Sequence, residues 1–349
     1  MRILLLPISL IYHIVLTIRH KLYDWHILKT TRFEKPVICM GNLNLGGTGK
    51  TPHTEYLINL LKDDFRVATL SRGYGRKTKG FKRADSQCTY EDLGDEPLQY
   101  FKKFPSIQVA VDEDRVDGVR KLFKSEDAPE VILLDDAFQH RRIEAGLNLL
   151  LTEYQHLYCD DFLFPAGTLR DVKSAAKRAD IIVVSKSPKT LNEDEKQQVV
   201  DKLKPTEKQK VYFSYLEYHD LQPLNEKSKM VSTENADAVL AFCGIANPKP
   251  FVEELKKHHK TVDFLHFADH HAYTEYDVTI LLKRFENLHG EKKIIVTTEK
   301  DAARLTNSPY LCQFETAPLF AQPIGVRFHE EEKFNKTILN YVRQNKHHC

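Results

Sequence analysis

Between residues 36 and 186 the chain alternates short runs of valine, isoleucine and leucine with longer segments whose apolar residues recur every three or four positions. The first pattern is that of strands buried on both faces, and the second that of helices lying against them. The runs VICM (37–40), RVATL (66–70), IQVAV (107–111), VILLD (131–135), LNLLL (147–151) and IIVVS (181–185) are the predicted strands. Tyr56, Leu57, Leu60 and Leu61 share one face of a helix after the first of them. The alternation predicts a doubly wound α/β fold, whose ligand site lies at the carboxyl ends of its strands.

After residue 186 the pattern weakens. Residues 187–210 are dominated by charge, and Thr190 with Glu193 fits a capping box opening a solvated helix. One extended piece, VYFSYLEYH, precedes a polar stretch that reads as a linker over 211–237. A smaller α/β unit then spans 238–349, with strands VLAFCG (239–244), VDFLHF (262–267) and KIIVTT (293–298) and helices near 249–258 and 274–287. It is expected to close over the site of the 31–210 core.

The amino terminus has a different pattern. Residues 3–18 carry no formal charge and are flanked by Arg2 and by Arg19, His20 and Lys21. The run is shorter than the ~20 residues a membrane span needs, and it lacks the small-residue cleavage site of a signal peptide. Residues 1–30 therefore read as a helix lying in a membrane interface, the alternative being a helix buried in the core.

Charge narrows the function classes. The 51 basic and 49 acidic residues leave a net charge of +2, which gives no overall signature of nucleic-acid binding. Cys39, Cys88, Cys159, Cys243, Cys312 and Cys349 form no Cys-x-x-Cys pair, as expected of free thiols in a reducing compartment.

The chemistry is concentrated behind the first strand. There GNLNLGGTGKTP leads into a helix, the context of a phosphate-binding loop. Gly46, Gly47, Thr48 and Gly49 would turn backbone N–H groups toward phosphate oxygens, Lys50 would reach the β and γ phosphates, and Thr51 would ligate Mg²⁺. Asn44 stands where the strict pattern has its first glycine. The VILLD strand ends in Asp135 and Asp136, the acidic partner of such a loop for the metal. Together these predict a P-loop kinase core using ATP and Mg²⁺. SRGYGR (71–76), GDEP (94–97) and FPAGTLRD (164–171) offer Arg72, Asp95 and Arg170 for phosphate or proton chemistry. A zinc site at His266, Asp269, His270 and His271 is disfavoured, because adjacent histidines on a loop rarely share one metal.

With those motifs in their order, joined by LLDDAFQHRR, CGIANP, FADHHAY and TTEKDAARL, the sequence resembles the tetraacyldisaccharide 4′-kinase family, the lipid A 4′-kinases of Gram-negative bacteria. The match covers most of residues 35–305. The resemblance implies transfer of the ATP γ-phosphate to the 4′-hydroxyl of a tetraacyldisaccharide 1-phosphate, giving lipid IVA. It also implies a monomer bound to the cytoplasmic face of the inner membrane, with no nucleic-acid partner. It assigns Asp95 as the group that accepts the hydroxyl proton and His270 as its polarising partner, with His271 an alternative one position away. Gln139, His140 and Arg141 would line the site, and Arg72 and Arg170 would offset phosphate charge. A second class remains: a membrane-associated P-loop ATPase switch with no phosphoryl acceptor.

Overall fold

The computed structural model describes residues 2–234, 236–269, 271–306 and 308–345. They fall into two compact units, Met1–Leu216 with Val326–Cys349, and Glu217–Gly325.

In the first unit the described residues form a nine-stranded sheet. Its strands in chain order are β1 (Val37–Asn42), β2 (Val67–Ser71), β3 (Lys82–Arg83), β4 (Gln108–Val111), β5 (Val131–Asp135), β6 (Leu147–Glu153), β7 (Ile181–Ser185), β8 (Lys210–Tyr218) and, after the second unit, β14 (Ile324–Phe328). The spatial order is β14-β8-β7-β6-β1-β5-β2-β4-β3. From β8 through β4 the neighbours run parallel, and β3 pairs antiparallel with β4 at the edge. Strand β1 lies at the centre with every residue buried, as its unbroken apolar run requires. The chain fills one side of β1 with β2 to β5 and then the other with β6 to β8, so the switch in direction falls where β1 ends. The register pairs Met40 with Asp135, which sets the loop after β1 beside the Asp135–Asp136 step.

Around this sheet lie α1 (Leu6–Asp24), α2 (Lys50–Leu61), α3 (Asp95–Lys103), α4 (Arg115–Lys124), α5 (Glu193–Leu203) and α9 (Glu331–Asn345). Helix α5 starts two residues after the expected capping box. Asn192, not Thr190, caps it and exchanges hydrogen bonds with Glu195 at 2.8 and 2.9 Å. That helix buries Val199 and Leu203.

Two boundaries differ from the sequence reading. The segment expected to open a linker at 211 is β8, bonded along β7 from Lys210 to Phe213. Residues from Val326 onward belong to the first unit, because Phe334, Ile338 and Val342 bury one stripe of α9 in the cluster that contains Ile38, Leu57 and Leu61. Tyr341 of that helix donates to Val37 O at 3.1 Å.

The second unit holds β9 (Gln222–Pro223), β10 (Ala238–Cys243), β11 (Thr261–His266), β12 (Lys293–Thr298) and β13 (Leu319–Gln322), in the spatial order β9-β13-β12-β10-β11. Its helices are α6 (Lys249–His258), α7 (Glu275–Asn287) and α8 (Glu299–Leu305). Strands β10 to β13 are parallel, so CGIANP, the segment from Phe267, and TEKD all leave the same edge of this sheet.

Candidate phosphate-binding site

The loop after β1 departs from ordinary backbone where the glycines stand: Gly46 and Gly49 have φ of 102° and 83°. Side chains with a Cβ rarely occupy that region, so both positions need glycine. Asn44 explains the missing first glycine. It is buried and bridges antiparallel to Leu169, and its amide donates to Thr168 Oγ1 at 3.2 Å. Leu45 N donates to Thr168 O at 2.6 Å and Arg170 N donates to Leu43 O at 2.8 Å. The loop is thus laced along the 162–171 segment, a packing role a glycine could not fill.

At the base of the loop Asn42 acts as a hub. Its amide donates to Gly46 O at 3.1 Å, and its Oδ1 accepts from Arg170 at 2.5 Å and from Lys50 at 3.4 Å. Its backbone oxygen accepts from Gln139 at 2.7 Å. Lys50 also lies 3.8 Å from Asp136, and Arg170 grips both oxygens of that carboxylate. Burial would raise the Asp136 pKa, but the Arg170 hydrogen bonds and the Lys50 charge outweigh it and hold the carboxyl below its ordinary value.

Asp135 faces the opposite balance. It is 3% exposed, and its oxygens accept from the hydroxyls of Thr54 at 3.4 Å and Tyr100 at 3.1 Å. Burial, then the charges of Glu96 and Asp136, push its pKa up to about 7. Glu96 in turn accepts from Thr51 Oγ1 at 3.3 Å. Thr51, Glu96, Asp135 and Asp136 therefore converge on the start of α2. The Thr48 hydroxyl is buried without a protein partner in the same loop.

Asp95 stands half-buried at the first position of α3. Its approach is fixed by two glycines: a Cβ on Gly94 would meet Tyr74 O at 2.7 Å, and one on Gly73 would meet Leu93 O at 2.7 Å. SRGYGR and GDEP thus pack backbone on backbone. Arg72 extends from the end of β2 into solvent, whereas Arg76 is spent on Glu113 and Gly80 O.

The residues of the QHRR run divide. Gln139 reaches the loop through Asn42. His140 is partly buried, with an unpartnered Nε2, and burial and the Arg115 charge push its pKa down to about 4. Arg141, expected to line the site, donates to His20 O at 2.9 Å and Asp24 Oδ1 at 2.8 Å. Its donors are taken by the carboxyl end of α1. In the second unit His270 lies outside the described residues. Its neighbour His271 is engaged with Asp277 at 2.9 Å and stacks on Phe267 at 4.8 Å.

Asn42, Tyr100 and Thr54 were not singled out in the sequence, and Glu96 entered only as the second carboxylate of GDEP. Asn42 alone carried a signal, a polar residue ending an otherwise apolar strand. The other three depend on α2 and α3 meeting β5.

Helix α1 has two unlike faces. Ser9, Leu16, His20 and Tyr23 are buried against the first unit. Leu10, Ile11 and Ile18 are 61%, 64% and 54% exposed, and Ile8, Ile14 and Val15 join them. The alternative of a core helix is therefore not what forms. Among the described residues no helix is long and apolar enough to cross a membrane.

A family model described as tetraacyldisaccharide-1-P 4′-kinase, LpxK, matches residues 1–343. A tetraacyldisaccharide 4′-kinase of Bacteroides thetaiotaomicron is 45% identical, the match covering 98% of this chain and 93% of the relative. One of Flavobacterium johnsoniae is 44% identical over 99% and 98%. Among solved structures, LpxK from Aquifex aeolicus in complex with ATP matches with a TM-score of 0.75 and 32% identity, covering 98% of this chain and 99% of that one. A family match over nearly the whole chain, joined to a phosphate-binding loop and its acidic partners, leads to one conclusion: the chain belongs to the tetraacyldisaccharide-1-P 4′-kinase family and is a kinase.

Proposed function

We propose that this chain transfers the γ-phosphate of ATP to the 4′-hydroxyl of a tetraacyldisaccharide 1-phosphate, forming lipid IVA at the cytoplasmic face of the inner membrane. The observation that carries the reading is the set of groups at the end of β1: a glycine loop, Lys50 and Arg170 facing Asp136, and the buried Asp135 near Glu96, which accepts from Thr51.

Each group has a task in phosphoryl transfer, which asks mainly for positioning and charge stabilisation. Backbone N–H groups from Gly46 to Thr51 receive the β and γ phosphates at the amino end of α2. Lys50 and Arg170, held by Asp136 and Asn42, meet the phosphate charge, with Arg72 a further cation at the strand edge. Asp95 takes the proton of the acceptor hydroxyl. The role carried over for His270, to hold and polarise Asp95, belongs to the same proposal; the engagement of His271 with Asp277 supports His270 as the functional one.

The residues fit Mg²⁺. Thr51 supplies a hydroxyl, and Asp135 and Asp136 supply carboxylates with Glu96 beside them. Among the described residues no group of three acidic, histidine or cysteine ligands could hold a metal alone. That suits an ion that keeps waters and takes phosphate oxygens. When bound, Mg²⁺ neutralises charge that builds on the phosphates.

The exposed apolar face of α1, with Lys21 over the Trp25 ring at 5.7 Å, supports docking in an anionic membrane interface. The test is incubation with MgATP and the lipid disaccharide in detergent micelles. The expected product is the 4′-phosphate, with ADP formed in step with acceptor. Asp95→Ala and His270→Ala should each lower turnover by about 100-fold while nucleotide affinity stays near that of the parent. ADP formation independent of acceptor would overturn the reading in favour of an ATPase switch.

A further inference from the structure

The face of α1 that turns away from solvent is more polar than anchoring requires. Positions 9, 12, 16, 20 and 23 form one helical stripe, and four of the five carry a polar atom. Ser9 Oγ donates to Leu163 O at 2.9 Å and accepts from Ala166 N at 3.0 Å. Tyr12 OH donates to Arg170 O at 3.1 Å, and beside the stripe Arg19 donates to Gln139 O at 3.2 Å. His20 Nε2 lies 2.6 Å from Asp171 Oδ1, with both side chains buried.

These bonds end on two segments, 139–141 and 163–171. The same two segments hold the phosphate loop. Gln139 donates to Asn42 O, Thr168 O accepts from Leu45 N, and Arg170 binds Leu43 O, Asn42 and Asp136. Asp171 directly follows Arg170, so the orientation of its carboxylate bears on the residue that neutralises Asp136.

The roles in the His20 contact follow from its partners. Arg141 Nη1 lies 3.3 Å from His20 Nδ1, and a guanidinium can only donate, so Nδ1 accepts. Nε2 then carries the hydrogen and donates to Asp171. Arg178 Nη2 reaches the other oxygen of Asp171 at 3.4 Å, and Val172 N donates to Oδ1 at 2.8 Å. The carboxylate is thereby fixed from three sides, one of which is α1.

We infer that His20 is a positioning residue of the nucleotide site: from the helix that faces the membrane it holds Asp171, and through it Arg170 and the phosphate loop. Helix α1 then has two separable functions, an apolar face for the membrane and a polar face that shapes the loop. The inference rests on the reading of residues 46–51 as the nucleotide loop.

The test separates the faces. His20→Ala, His20→Gln and the double change Ile11→Ser with Ile14→Ser are compared with the parent in full-length protein. The readouts are Mg²⁺-dependent affinity for a fluorescent ATP analogue, turnover on the lipid acceptor, sedimentation with phosphatidylethanolamine–phosphatidylglycerol vesicles, and the thermal melt. His20→Ala should weaken nucleotide affinity about tenfold with the vesicle-bound fraction unchanged. His20→Gln, whose amide can still donate to Asp171, should recover affinity to within about threefold of the parent. The double serine variant should lose vesicle binding and keep nucleotide affinity. The inference is overturned if His20→Ala binds nucleotide like the parent, if His20→Gln is no better than His20→Ala, or if affinity and vesicle binding fall together in both single variants. If the parent transfers no phosphate to the lipid while the affinities follow the expected order, the proposed function fails and the positioning role stands.

Discussion

Asp135 in the first unit and Asp301 in the second occupy similar places with opposite provision. Both are buried at the carboxyl edge of a parallel sheet, Asp135 ending β5 and Asp301 in the first turn after β12. Asp301 accepts from Gly244 N at 3.1 Å, Thr298 Oγ1 at 2.6 Å and the Arg304 guanidinium at 3.1 Å, and it sits at the positive end of α8. Its charge is balanced where it lies. Asp135 receives two neutral hydroxyls and has Glu96 and Asp136 as neighbours, and its pKa rises to about 7. A carboxylate given a cation and a backbone donor holds a fold together; one left among other carboxylates suits the proposed role of meeting a cation from outside.

The comparison can be broken by exchanging each carboxylate for its amide. The largest effect is expected at Asp135→Asn, where turnover should fall by at least about 100-fold while the thermal melt stays at or above that of the parent, since an ill-compensated buried charge is removed. Turnover within a few fold of the parent would class Asp135 with Asp301. The reverse is expected of Asp301→Asn: denaturant unfolding should show a loss of about 2 kcal/mol, because Arg304 and Gly244 N lose a charged acceptor. An unchanged midpoint would remove the contrast.

The smallest effect sharpens the sign. In the folded state Asp135 keeps its proton to about pH 7, whereas an unfolded carboxyl releases it near ~3.9. Between those values the folded chain holds more protons at this group, so its contribution to stability falls as pH rises. Without divalent cation, the parent should lose stability between about pH 4 and 7 relative to Asp135→Asn. Added Mg²⁺ should oppose the loss most at the upper end of that window. Parallel profiles for the two proteins would remove the raised pKa.

Six strands of the first unit and three of the second were legible because parallel strands buried on two faces need unbroken apolar runs, whereas β13 and β14 were not read. KIIVTT coincides with β12, and VLAFCG and VDFLHF are displaced by one residue. The glycine loop and the Asp135–Asp136 step stood out for a related reason: backbone that turns through positive φ needs glycine, and an acidic strand end, common by itself, gains meaning from the loop that precedes it. Helix α9 escaped notice because Phe334, Ile338 and Val342 are spaced among nine charged or amide residues, a sparse stripe whose partner is a sheet far away in sequence. The Asn192 cap was missed because two overlapping four-residue segments, Thr190–Glu193 and Asn192–Glu195, satisfy the same capping rule.

Residue types and local spacing determined that this chain builds two parallel sheets, that a glycine loop follows the first strand, and that an apolar helix precedes it. These are consequences of side-chain period and backbone freedom, which act over a few residues. Tertiary structure alone decided which of the candidate charges serve the loop. It placed Glu96 on Thr51, turned Arg141 to α1, made Asn44 a packing residue and linked His20 through Asp171 to Arg170. Electrostatic and hydrogen-bonding roles depend on what lies within a few ångströms, and those neighbours come from segments that the sequence separates by tens to hundreds of residues.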